Sequence, residues 1–100
     1  MPPQVRRDIG QALCAAQQGE TDPAAKPLKG FGGSRVMEIV ERHRTDAFRA
    51  VYSVHFAEAI YVLHVFQKKS KHGIATPKPD MELIRRRFAE AERLHRERQS

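Results

Sequence analysis

One hundred residues allow a single domain with one modest core, and 22 Leu, Ile, Val and Phe residues suffice to fill it. No apolar stretch approaches the roughly 18–20 residues that cross a bilayer. Pro2, Arg6, Arg7 and Asp8 break up any signal-peptide start, and the lone Cys14 excludes a disulfide framework or a Cys-rich zinc site, so the expected address is the cytoplasm, away from membranes. Eighteen Lys and Arg against twelve Asp and Glu give a net charge of +6. The excess is concentrated. From His64 to Arg87 stand seven cationic side chains (Lys68, Lys69, Lys71, Lys78, Arg85, Arg86, Arg87) against Asp80 and Glu82. A clustered positive field of this kind attracts polyanions, nucleic acid above all.

In chain order, Val5, Ile9, Leu13 and Ala16 recur at helical spacing, with Pro3 suited to a first turn and Gly19 to a left-handed C-terminal position. The periodicity predicts an amphipathic helix over residues 3–18, with Cys14 beside its stripe as a small core residue. Residues 21–34 carry Asp22-Pro23, Pro27, Gly30, Gly32 and Gly33 and read as a loop, from which Leu28 and Phe31 tuck onto the core. Three strand-like runs follow. Residues 36–41 are half apolar, and residues 48–55 alternate, with Phe48, Ala50, Tyr52 and Val54 on one face and Arg49, Val51, Ser53 and His55 on the other. Residues 60–66 are apolar on both faces, the pattern of a central strand covered twice. Short connections make the three an antiparallel meander. Thr76-Pro77 supplies a cap and first-turn proline for a second helix, or Asp80 caps a shorter one; Met81, Ile84, Phe88, Ala91 and Leu94 form its stripe. The expected fold is α+β: one domain over residues 1–100, with a small antiparallel sheet carrying an N-terminal and a C-terminal helix.

The densest polar constellation starts at the end of the third strand, His64-Val-Phe-Gln-Lys-Lys-Ser-Lys-His-Gly73. Alternation sends His64, Phe66 and Lys68 one way and Val65, Gln67 and Lys69 the other. Arg49 lies on the neighbouring strand. Metal-free RNA cleavage needs a base for the ribose 2′-hydroxyl, cations for the dianionic phosphorane and an acid for the leaving 5′ oxygen. Arg49, Lys68, Lys69 and Lys71 offer the charge, and His64, His55 or His72 could carry protons. The competing structural readings are a hydrogen-bonded core histidine at His64, a solvated strand exit for the lysines, helix surface for Arg85–Arg87 and core or edge roles for Tyr52 and Tyr61. The scattered histidines lack zinc spacing, and Gly30–Gly33 lacks the Gly-Lys-Ser/Thr ending of a phosphate loop, so neither metal nor cofactor is expected.

Lys26-Pro-Leu-Lys-Gly-Phe-Gly32, Val36-Met-Glu-Ile39, Phe48-Arg-Ala-Val-Tyr52, Tyr61-Val-Leu-His-Val-Phe-Gln-Lys-Lys69 and Thr76-Pro77, in that order, resemble the RelE/ParE toxin superfamily, and most closely its phage-derived, HigB-like branch. The match runs from about residue 3 to residue 94. The resemblance implies a cytoplasmic toxin of a type II toxin–antitoxin system that enters the ribosome and cleaves mRNA there without a metal. It also implies a cognate antitoxin, usually of helix-turn-helix type. Carried over by position, Arg49 is the strand arginine that contacts phosphate, Lys68 and Lys69 the Phe-x-Lys-Lys pair, and His64 the polar residue just upstream. These four are the candidate catalytic residues; Lys71, His72, Lys78 and Arg85 are candidates for holding RNA around them. Typical members carry a further strand and helix ahead of the stretch equivalent to residues 3–19. Either the true start lies upstream, or this is a shortened form whose sheet edge stands open, where an antitoxin or a second copy could pair. Val40 stands where many members have an arginine. The alternatives are a ParE-like toxin that poisons DNA gyrase without catalysis, and an inactive prophage remnant.

Overall fold

The computed structural model describes residues 2–31, 35–44, 46–54, 60–69 and 76–99, the side chains of residues 68, 69 and 99 excepted. The elements run α1 (Pro3–Gln17), β1 (Ala25–Pro27), β2 (Val36–His43), β3 (Asp46–Ser53), β4 (Tyr61–Lys69) and α2 (Lys78–Gln99). The strands form one antiparallel sheet in the order β1-β2-β3-β4.

Helix α1 begins with Pro3, whose missing N–H costs nothing in a first turn. It stops at Gly19, which takes φ +82°. The N–H groups of Gly19 and Glu20 return to the carbonyls of Ala16 and Ala15, the paired bonds of a Schellman ending. Val5, Ile9, Ala12 and Ala16 are buried against Met37, Ile39, Phe48, Ala50 and Tyr52 of the sheet. Cys14, expected in the core, is exposed, because the buried row passes through Ala12 and Ala16 instead.

The sheet has four strands where the sequence pattern gives three. The additional strand, β1, is three residues long and ends in a proline, too short to display an alternation. The Asp22 carboxylate accepts from the Ala24 N–H at 2.9 Å and turns the chain into it. Leu28 and Phe31 are buried, as expected of that segment. β2 and β3 join in a tight hairpin, His43 opposite Asp46, with Arg44 in the left-handed region at φ 58°.

A register shift between Val51 and Tyr52 pairs Val51 with His64 but Tyr52 with Val62, leaving Leu63 as the extra residue. A bulge of this type turns two consecutive side chains toward one face. Leu63 joins the core beneath α2, and His64 reaches the helix itself. That second core, on the face opposite α1, also holds Leu28, Phe31, Val36, Val51, Ile84, Phe88 and Ala91.

The expectation of a doubly covered central strand over residues 60–66 is overturned. β4 is the last strand of the sheet, and Val62 and Val65 are 51% and 41% exposed. Helix α1 packs chiefly over β2. The cap is also different: the first α2 bond runs from the Met81 N–H to the Pro77 carbonyl, so the helix starts at Lys78 and the Thr76 hydroxyl caps nothing.

Candidate functional site

Arg49 sits in the middle of β3, and strand alternation puts it with Val51 on the α2 side of the sheet. It is buried there. Its Nη1 donates to Glu38 Oε2 at 3.3 Å, both side chains being less than a tenth exposed. Glu38 comes from β2 on the same face, and Lys26, its register partner on β1, places Nζ 3.7 Å from the other carboxylate oxygen. A buried guanidinium needs such a counter-charge, since an uncompensated charge in the interior costs several kcal/mol, about 3–5 when one partner is removed. The strand arginine is therefore a structural ion as well as a candidate phosphate contact.

His64 lies two residues along β4 from Phe66, which pairs with Arg49. Its ring stacks on Phe66 at 4.7 Å between centroids, and Nε2 is 2.8 Å from Asp80 Oδ1. Asp80 is in the first turn of α2, where a carboxylate also complements the helix dipole. A neutral imidazole held in this way donates through Nε2 and leaves Nδ1 as its acceptor. Asp80 was expected as a possible helix cap. It orients the histidine instead.

Lys68 pairs with Ala47 and Lys69 with Asp46 at the end of the β3–β4 ladder. Backbone alternation gives position 68 the face of Arg49 and His64, and position 69 the opposite face. Lys71, His72 and His55 lie outside the described residues. Lys78 is exposed at the start of α2. Arg85 is not a freely projecting cation: its guanidinium covers the Phe31 ring at 5.2 Å and its Nη1 donates to the Gly30 carbonyl at 3.3 Å. Gly30 takes φ +99°, and a Cβ there would stand 3.0 Å from Arg85 Nη2. Arg87 donates to the Leu63 carbonyl at 2.8 Å and braces the bulge.

Tyr52 belongs to the other face. It is packed under α1, and burial, with a smaller effect from Asp22, pushes its phenol above the ordinary tyrosine value. Among the described residues no three His, Cys, Asp or Glu side chains gather as a metal-binding group, and no helix is long and apolar enough to cross a membrane. The residues that pattern reasoning did not bring into the site are Glu38, Asp80 and Lys26. Glu38 carried a usable signal: a carboxylate inside an apolar strand demands a cation nearby.

These features define a two-helix α+β protein whose sheet carries an ion-paired arginine and an aspartate-held histidine on one face. The family model of the phage-derived Gp49-like proteins (DUF891) matches residues 1–89, and the chain belongs to that family, a RelE/toxin-like family of type II toxin–antitoxin systems. No curated protein and no solved structure matches the chain.

Proposed function

We propose that the chain is the HigB-like toxin of a type II toxin–antitoxin pair and cleaves mRNA on the ribosome without a metal. The reading is carried by one observation: the β3–β4 register sets Arg49 opposite Phe66, with His64 and position 68 on the same face. Family membership supports it.

In this mechanism His64 takes the 2′-hydroxyl proton through Nδ1, its other nitrogen being held by Asp80. The 2′ oxygen attacks the neighbouring phosphorus and the bond to the 5′ oxygen breaks. Arg49 and Lys68 stabilise the dianionic phosphorane, Lys69 adds positive charge at the strand exit from the opposite face, and a cationic acid of the cluster returns a proton to the departing 5′ oxygen. The fragments carry a 2′,3′-cyclic phosphate and a 5′-hydroxyl. Lys71, His72 and Lys78 hold the flanking RNA, Arg85 being engaged with Phe31 and Gly30, and a neighbouring helix-turn-helix antitoxin neutralises the protein in the cytoplasm, as a toxin–antitoxin complex.

Induced expression is expected to arrest growth and yield transcripts cut within codons, mapped by primer extension. The Lys68→Ala/Lys69→Ala double variant is expected to lose both effects while accumulating as folded protein. Undiminished toxicity in that variant removes the site assignment.

The pairing of Arg49 with Glu38 favours a second reading, a ParE-like toxin that acts on gyrase by binding alone, because a buried, neutralised arginine has less charge to give a phosphate. Growth arrest with intact mRNA and accumulated DNA breaks is its signature. An inactive prophage remnant, the third reading, gives folded protein and no arrest.

A further inference from the structure

Beside the Arg49–Glu38 pair lies a cleft of about 540 Å³ between β1, β2 and the start of α2. That volume falls within the roughly 300–1,000 Å³ of ordinary small-ligand sites. Pro27, Leu28 and Met81 give it apolar walls, and Lys26, Lys29 and Glu38 place charge around them. Met81 follows Asp80 in sequence, and Glu38 is the partner of Arg49, so the cleft adjoins both halves of the candidate site. Thr76 lines it too, and the Thr76 hydroxyl has no hydrogen-bond partner among the described residues.

Glu38 decides what such a cleft would recognise. Its carboxylate meets Lys26 at 3.7 Å and Arg49 at 3.3 Å. Both distances exceed the roughly 2.7–2.9 Å of a full charge-assisted bond. An ionised carboxylate offers about four lone-pair sites and donates nothing. The complement to two neighbouring carboxylate oxygens is a pair of adjacent N–H donors on a flat ring. Guanine presents that pair on its Watson–Crick edge, N1–H beside the N2 amino group. Adenine and cytosine set one amino donor beside a ring-nitrogen acceptor, and uracil sets one N–H between two carbonyls.

We propose that this cleft is a guanine-nucleotide subsite, with Glu38 accepting from N1–H and N2–H, Leu28 and Met81 lying against the base, and Lys26 and Lys29 meeting its phosphate. Lys26 suits that task, being 57% exposed and loosely paired. The inference rests on the RNA reading above and adds to it the base that the protein selects next to the scissile phosphate.

The test is amide NMR titration of the full chain with GMP, AMP, CMP and UMP, a measurement that requires no cleavage. GMP is expected to bind at least about fivefold more tightly than the others, the lower bound for one bidentate base contact, and to shift the Leu28, Glu38 and Met81 amides. Glu38→Gln abolishes the ranking. Because that variant leaves Arg49 without its counter-charge, Lys26→Ala is the companion: it weakens all four nucleotides alike and leaves the ranking intact. Equal affinity for the four, or shifts confined to other parts of the molecule, overturns the proposal. GMP binding by a chain that cuts no transcript upholds the subsite and overturns the nuclease reading; cleavage without GMP binding does the reverse.

Discussion

Glu41 shows what a single side chain contributes to stability. It lies on β2, where burial first, and then the nearby carboxylates of Asp8 and Asp22, push its carboxyl above the ordinary glutamate value. A raised carboxyl holds its proton more tightly folded than unfolded, so the ionised form opposes folding. That penalty is absent in acid, grows as the pH climbs through the ordinary carboxylate range, and is complete above the folded value. Glu41→Gln is therefore expected to raise Tm at neutral pH, with the gain vanishing in acid. Thermal melts of the two proteins across that range check it. The Arg49–Glu38 pair has the opposite character, since each of its members is there to compensate the other.

At the scale of elements, the two helices were legible because their apolar spacing runs over many residues. Val5, Ile9 and Ala16 are buried on α1, as are Ile84, Phe88 and Ala91 on α2. Local pattern did not reveal what a strand has beside it. Residues 60–66 read as apolar on both faces, yet β4 is an edge strand and α1 packs chiefly over β2. Nor could spacing find β1, or the bulge that lets Leu63 and His64 face α2 together. His64 was readable as a polar group in an apolar run, but its partner Asp80 is 16 residues away and became a neighbour only through the packing of helix on strand. That packing depends on Ile84, which is fully buried at the centre of the α2 core. Ile84→Ala is expected to cost about 2–5 kcal/mol, as core truncations of this size do, measured by denaturant unfolding.

Considered whole, the molecule has a core on each side of one sheet, one beneath each helix. Its charge is unevenly distributed, and five of its six net positive charges arise between His64 and Arg87. A polyanion held by such a segment is released as salt rises, with a slope near −0.7 for each phosphate neutralised on a single strand. Single-stranded RNA affinity is expected to follow that line, and the Lys68→Ala/Lys69→Ala variant is expected to show a shallower slope in titrations at several salt concentrations.

Salt will not act equally on every cation. Arg85 lies on Phe31, Phe31 meets Phe88 edge-on at 5.7 Å, and Arg35 covers the Phe88 ring at 5.3 Å. Arg35 also donates to the Phe31 carbonyl at 2.8 Å. The two guanidiniums thus flank an edge-to-face ring pair, fastening the chain between β1 and β2 to α2 by contacts that combine apolar burial with charge. Added electrolyte competes for lysines that grip a ligand from outside, but it has little purchase on a rivet whose heads rest on hydrocarbon. A chain that lets go of RNA in brine is therefore expected to keep its own seam closed.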